Sequence, residues 1–96
     1  MALTIKQSVA QQIVEAVKDV SSHDINFIDS KGIIFASTNK KRIGDFHEIG
    51  LQVIKTGETI EVDTNDGYFG TQKGVNIPFI YKGDVSAVIG ISGVPE

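Results

Sequence analysis

The chain has 96 residues, nine basic against twelve acidic for a net charge of −3, and no cysteine. This excludes a disulfide framework, a thiolate metal site and a cysteine nucleophile, and it argues against a stand-alone nucleic-acid binder, which needs a basic face. Hydrophobic residues at 41% and charged residues at 22% fit one globular domain over residues 1–96, and no apolar run is long enough to cross a membrane or serve as a signal-peptide core.

Thr4 and Gln7 have capping-box spacing, with Thr4 as N-cap. Ile5, Val9, Ile13, Ala16, Val17 and Val20 then recur at helical spacing, which predicts an amphipathic helix over residues 4–20. Ala10 and Val14 widen its apolar face enough to serve a partner helix as well as the chain's own core. Residues 25–30 and 33–37 read as strands joined at Asp29-Ser30-Lys31-Gly32, with Gly32 able to take positive φ. A polar, basic loop follows over residues 38–44. A second helix is predicted over residues 45–55, with Asp45 and Glu48 at capping-box spacing and Gly57 suited to the position after its end. Residues 59–62 alternate as a short strand, and residues 63–73 are polar around Tyr68 and Phe69. Residues 74–81 and 85–92 are apolar strands joined by the two-residue turn Lys82-Gly83.

The order helix, strand, strand, helix, strand, strand, strand has short links between strands. It predicts an α+β fold: a PAS-like, antiparallel five-stranded sheet with an N-terminal helix and a helix between strands 2 and 3. Pro95-Glu96 resembles the first turn of a further C-terminal helix that the chain lacks, as in a fragment.

The richest chemistry lies at the second helix start. Lys40, Lys41, Arg42 and His47 gather where free helix amides and the dipole favour an anion. Arg42 offers a planar fork matching a carboxylate, His47 offers a ring nitrogen, and Gly44 lets the backbone approach a bound group. The alternative is a solvated basic loop, with Asp45 occupying the free amides. A second cluster is Lys73-Gly74-Val75-Asn76-Ile77-Pro78. Pro78 marks an edge or bulge, and a buried Asn76 needs a partner, either a polar ligand or a neighbouring loop. A third is the small-residue strand end Gly90-Ile91-Ser92-Gly93, which admits either a ligand or a tightly packed helix. Asp63, Asn65 and Asp66 lack the remaining positions of a calcium loop, two histidines lack a third zinc ligand, and Ser37, Ser86 and Ser92 lack a nucleophile-elbow context. No nucleophile, base and orienter assemble, so the chain reads as a binding module with no catalytic residue, metal or cofactor.

Three motifs in series carry a resemblance. They are Arg42-Ile43-Gly44-x-x-His47-Glu48, the 73–78 segment, and Val88-Ile89-Gly90-Ile91-Ser92-Gly93-x-Pro95-Glu96, together with Ile25-Asn26-Phe27-Ile28-Asp29 and the first helix. With these the chain resembles, over nearly its whole length, the sugar-diacid recognition domain, the N-terminal sensor of the carbohydrate diacid regulator family of bacterial transcription factors. The resemblance implies a PAS-like sensor for a small hydroxy-acid such as glycerate, or a sugar diacid such as glucarate or galactarate. DNA binding would fall to a helix-turn-helix region outside this chain. Carried over by motif, Arg42, Gly44 and His47 meet the effector's acid group, and Asn76 with Gly74, Ile77 and Pro78 closes the pocket. Ser37 and Ser92 complete the candidate set. The departures are Ile49-Gly50 where the family usually has Gly-Ala, Ser92 for a usual Thr, and Thr71-Gln72 ahead of the glycine. The expected state is a cytoplasmic homodimer without membrane contact. The alternative is a ligand-free dimerisation module.

Overall fold

The structure, a computed structural model, describes residues 5–19, 23–63 and 73–92. Helix α1 spans Gln7–Lys18 and packs through Ala10 and Val14, one turn apart on its buried face. It begins later than the sequence predicts. Lys6 occupies the N-cap position with extended backbone and no side-chain cap. Ile5 packs against the α1-side cluster from outside the helix. Thr4, the expected cap, and Val20 lie outside the described residues.

Five antiparallel strands follow: β1 (Asp24–Ile28), β2 (Ile34–Ser37), β3 (Ile60–Val62), β4 (Gly74–Tyr81) and β5 (Asp84–Ser92), with helix α2 (Glu48–Thr56) between β2 and β3. The sheet order is β2-β1-β5-β4-β3, so the last strand sits at the centre and joins the two sequence-local pairs. The fold is α+β, as the sequence predicts. The β1–β2 turn is tied by the Asp29 carboxylate, whose Oδ1 accepts from Lys31 N (2.8 Å) and Ile33 N (3.0 Å). The β4–β5 turn places both Lys82 and Gly83 at positive φ, 52° and 85°, as a two-residue turn of the primed kind requires. Pro95 and Glu96, read from the sequence as the first turn of a further helix, lie outside the described residues.

Alternation along β1 divides the core. Ile25 and Phe27 join Ala10, Val14 and Ala36 under α1. Ile28 joins Ile34, Ile49, Val53, Val62 and Val88 under α2. The helices therefore cover opposite faces of the sheet.

The α2 start corrects the expectation of Asp45 as its N-cap. Phe46 forms a bridge with Ile33, Ile34 N donates to the Asp45 carbonyl (3.0 Å), and His47 N donates to the Gly32 carbonyl (2.7 Å). These bonds hold residues 45–47 extended along the β1–β2 turn. Helical geometry begins only at Glu48, and His47 becomes the cap.

Candidate functional site

Asn26, His47, Asn76, Ser37 and Ser92 are all 6% exposed or less, an unusual concentration of polar groups for the core of a small domain. Strand register explains the grouping. Ser37, Asn26, Gly90, Asn76 and Ile60 are successive partners across β2, β1, β5, β4 and β3. They form one row, on the face that carries Ile28 and α2. The next row on that face is Asp24, Ser92, Gly74 and Val62.

Within the first row, Ser37 Oγ donates to Asn26 Oδ1 at 2.6 Å and accepts from Asn39 N at 3.0 Å. Asn76 Nδ2 donates to the Ile60 carbonyl at 3.3 Å. Gly90, between the two asparagines, leaves space that the Asn76 amide occupies: a Cβ would stand 2.9 Å from Asn76 Oδ1, so the amide would have to shift. The group approaching this glycine is thus the Asn76 amide, in place of the tightly packed helix weighed from the sequence. Gly74 is required for a similar reason, since a Cβ there would run into the Ile91 carbonyl. In the second row the Ser92 hydroxyl is buried and has no hydrogen-bond partner among the described residues. Leaving such a group dry costs about 1–3 kcal/mol, which a ligand would offset.

His47 caps α2 by accepting from Gly50 N through Nδ1 at 2.9 Å. It is the N-cap, in place of the second or third helical residue expected from the sequence. Burial first, and the Arg42 charge second, push its pKa down to about 4. The ring is therefore neutral near pH 7, and with Nδ1 accepting, its proton sits on Nε2, making that nitrogen a donor. Arg42 ends the 3₁₀ turn Lys40–Arg42, whose cap Asn39 accepts from Lys41 N through its side chain. Arg42 is half-buried. Burial lowers its pKa while the Asp45 and Asp24 carboxylates oppose that, so the guanidinium stays charged among its neighbours Asp24, Asp45 and His47. The Asp24 carboxylate also accepts from Thr38 Oγ1 at 3.2 Å, and Asp24 pairs with Ser92.

Sequence-predicted residues divide accordingly. Ser37 and Asn76 belong to the first row and Gly74 and Ser92 to the second, while His47 caps α2 and Arg42 lies near Asp24 of the second row. Pro78 shares their face, opposite Val88, beyond the stretch of β4 that pairs with β3. Ile77 is turned to the other face, opposite Ile89. Gly44 lies on the exposed loop at φ 97°, with nothing within 4 Å of a Cβ position, so its conformation accounts for the residue. Lys40 is exposed and pairs with Glu15 at 3.4 Å. Asn26 joins this row although the sequence does not single it out; it carries the same signal as Asn76, one amide inside an apolar strand.

The family model for sugar diacid recognition matches residues 5–96. The chain belongs to the sugar diacid recognition family. It is 33% identical over 90 residues to the carbohydrate diacid regulator of Escherichia coli (strain K12), covering 92% of this chain and 23% of the relative. It is 32% identical over 89 residues to the uncharacterized protein YsfB of Bacillus subtilis (strain 168), covering 91% and 24%. An uncharacterized protein of Haemophilus influenzae is 29% identical over 96 residues, covering 97% and 26%. The chain thus spans about a quarter of the length of these curated relatives. In this sugar diacid recognition domain, Ile49 and Gly50 divide their work: Ile49 fills the α2-side core, and a Cβ on Gly50 would stand 2.8 Å from Ile28 Cγ2. Ile49, where the family usually has Gly, thus packs into the core under α2. No helix among the described residues is long and apolar enough to cross a membrane.

Proposed function

We propose that this domain is the effector sensor of a transcriptional regulator and binds a small hydroxylated carboxylic acid of the glycerate, glucarate and galactarate class on the α2 face of the sheet. The carrying observation is the row of buried polar side chains Ser37, Asn26 and Asn76, with the Ser92 hydroxyl, unpartnered among the described residues, in the adjacent row and Arg42 close enough to Asp24 and neutral His47 to act on them electrostatically. The chemistry is complementary in kind. Arg42 supplies a formal charge for a carboxylate, and His47 Nε2–H supplies a neutral donor. Asn26, Asn76, Ser37 and Ser92 offer donors and acceptors at strand spacing, suited to successive hydroxyls. Two acidic neighbours, Asp24 and Asp45, favour the charged form of Arg42 against its burial. The sheet order β2-β1-β5-β4-β3 agrees with the PAS-like architecture expected of such a sensor. DNA contact belongs to parts of the regulator outside this chain, and the sensor reports binding as a population shift.

The test is a thermal-shift series with glycerate, glucarate and galactarate. The reading requires at least one to raise the melting temperature in a concentration-dependent way. No shift from any of them rejects it. A second reading, a ligand-free dimerisation module, is favoured by Val9 and Ile13, 46% and 45% exposed at i, i+4 on α1. A concentration-dependent mass, lost in Ile13→Lys, with no ligand shift would establish that reading.

A further inference from the structure

Among the described residues the sheet has two irregularities, and both border one cavity on the face away from the proposed effector row. Phe27 pairs with Ala36 but Ile28 with Ile34, which leaves Phe35 as an extra residue in β2. Phe79 pairs with Ala87 but Ile80 with Val85, which leaves Ser86 as an extra residue in β5. A bulge re-aims a side chain, and such bulges gather beside binding sites. Phe35 and Ser86 line the same cavity of about 210 Å³, with Asp29 from the β1 end and Ile5 and Gln7 from the start of α1. The Ser86 hydroxyl is buried, without a hydrogen-bond partner among the described residues. The Asp29 carboxylate spends Oδ1 on its turn, which leaves Oδ2 as an acceptor.

We propose that this cavity is a second ligand site, for a small neutral polyhydroxy compound. Asp29 excludes an anionic guest, including the diacids of the effector site. The positive end of α1, with Lys6 between two lining residues, disfavours a cationic one. A neutral diol meets the remaining requirements: one hydroxyl donates to Asp29 Oδ2, and its neighbour accepts from Ser86. The carbon face lies on the Phe35 ring and Ile5. The volume is below that of pockets for drug-sized ligands, which limits the guest to a small molecule.

The experiment is an amide-resolved NMR titration of the chain with myo-inositol, with galactarate and butylammonium as comparators. The proposal requires myo-inositol to move the Asp29, Phe35 and Ser86 signals. Ser86→Ala should weaken that binding about tenfold with the melting temperature unchanged or raised, because the hydroxyl loses no partner. Phe35→Leu, which keeps an apolar wall but removes the ring, should also weaken it. Signals unmoved by myo-inositol, equal binding by wild type and both variants, or larger shifts from galactarate or butylammonium would overturn it.

Discussion

Gln11 on α1 grips both backbone groups of Ser37 on the edge strand β2: its Nε2 donates to the Ser37 carbonyl at 3.0 Å, and its Oε1 accepts from Ser37 N at 3.1 Å. One side-chain amide thus substitutes for a neighbouring strand at an open sheet edge. Ser37 is also the end of the polar row, so α1 and the proposed effector face share a residue. Gln11→Ala should lower unfolding stability by about 1–2 kcal/mol in urea titration. In hydrogen exchange, it should raise exchange at the Ser37 amide more than at the central β5 amides. Equal protection in both proteins would show that the grip contributes nothing.

His47 sets a pH dependence whose sign follows from its depressed pKa. From the ordinary value of 6.5 down to about 4 the unfolded chain binds the proton and the folded chain does not. Stability is therefore full above pH 6.5, falls as the pH drops toward 4, and levels off below that, with His47 contributing up to about 3 kcal/mol. His47→Asn retains a side-chain acceptor for the Gly50 amide. Urea midpoints across this range should show a shallower pH slope for the variant. An unchanged slope would assign the proton uptake elsewhere.

Gly90 is predicted to be intolerant because of Asn76. Gly90→Ala brings a methyl to 2.9 Å from Asn76 Oδ1 and should cost about 1–3 kcal/mol. Adding Asn76→Ala removes the obstruction, so the double variant should be more stable than the sum of the two single changes predicts. Strict additivity in chemical denaturation would refute the contact.

The core under α2 yields a similar test. Gly50→Ala gains helix propensity, yet its methyl meets Ile28 Cγ2 at 2.8 Å and Cδ1 at 3.0 Å. The overpacking should outweigh the gain, for a net loss of about 1–2 kcal/mol by thermal melting, and Ile28→Val should restore part of it. A stabilised Gly50→Ala single variant would contradict the packing described.

Much of the fold was legible because its signals are local. Lys82-Gly83 announces a tight hairpin, Asp29-Ser30-Lys31-Gly32 a turn, and β4 was read with its observed limits. The start of α2 was not legible. The capping pattern at Asp45 is genuine as spacing, but tertiary bonds from Phe46 and His47 to the β1–β2 segment override it. The site was half legible. Arg42, His47 and Asn76 stand out by residue type, whereas the row linking Asn26 to Asn76 exists only through β5, which follows both in the chain and inserts between their strands. Ile77 adjoins Asn76 in sequence, but the two-residue period of a strand turns it to the opposite face.

The most direct measurement is calorimetric titration of glucarate and galactarate into wild type, Arg42→Ala and Asn76→Ala. The proposal predicts saturable one-site binding to wild type. It predicts a loss of about 2 kcal/mol, roughly thirtyfold, in Arg42→Ala, and a clear weakening in Asn76→Ala. Binding of equal strength to all three proteins would contradict the claim that this guanidinium and this amide hold the effector.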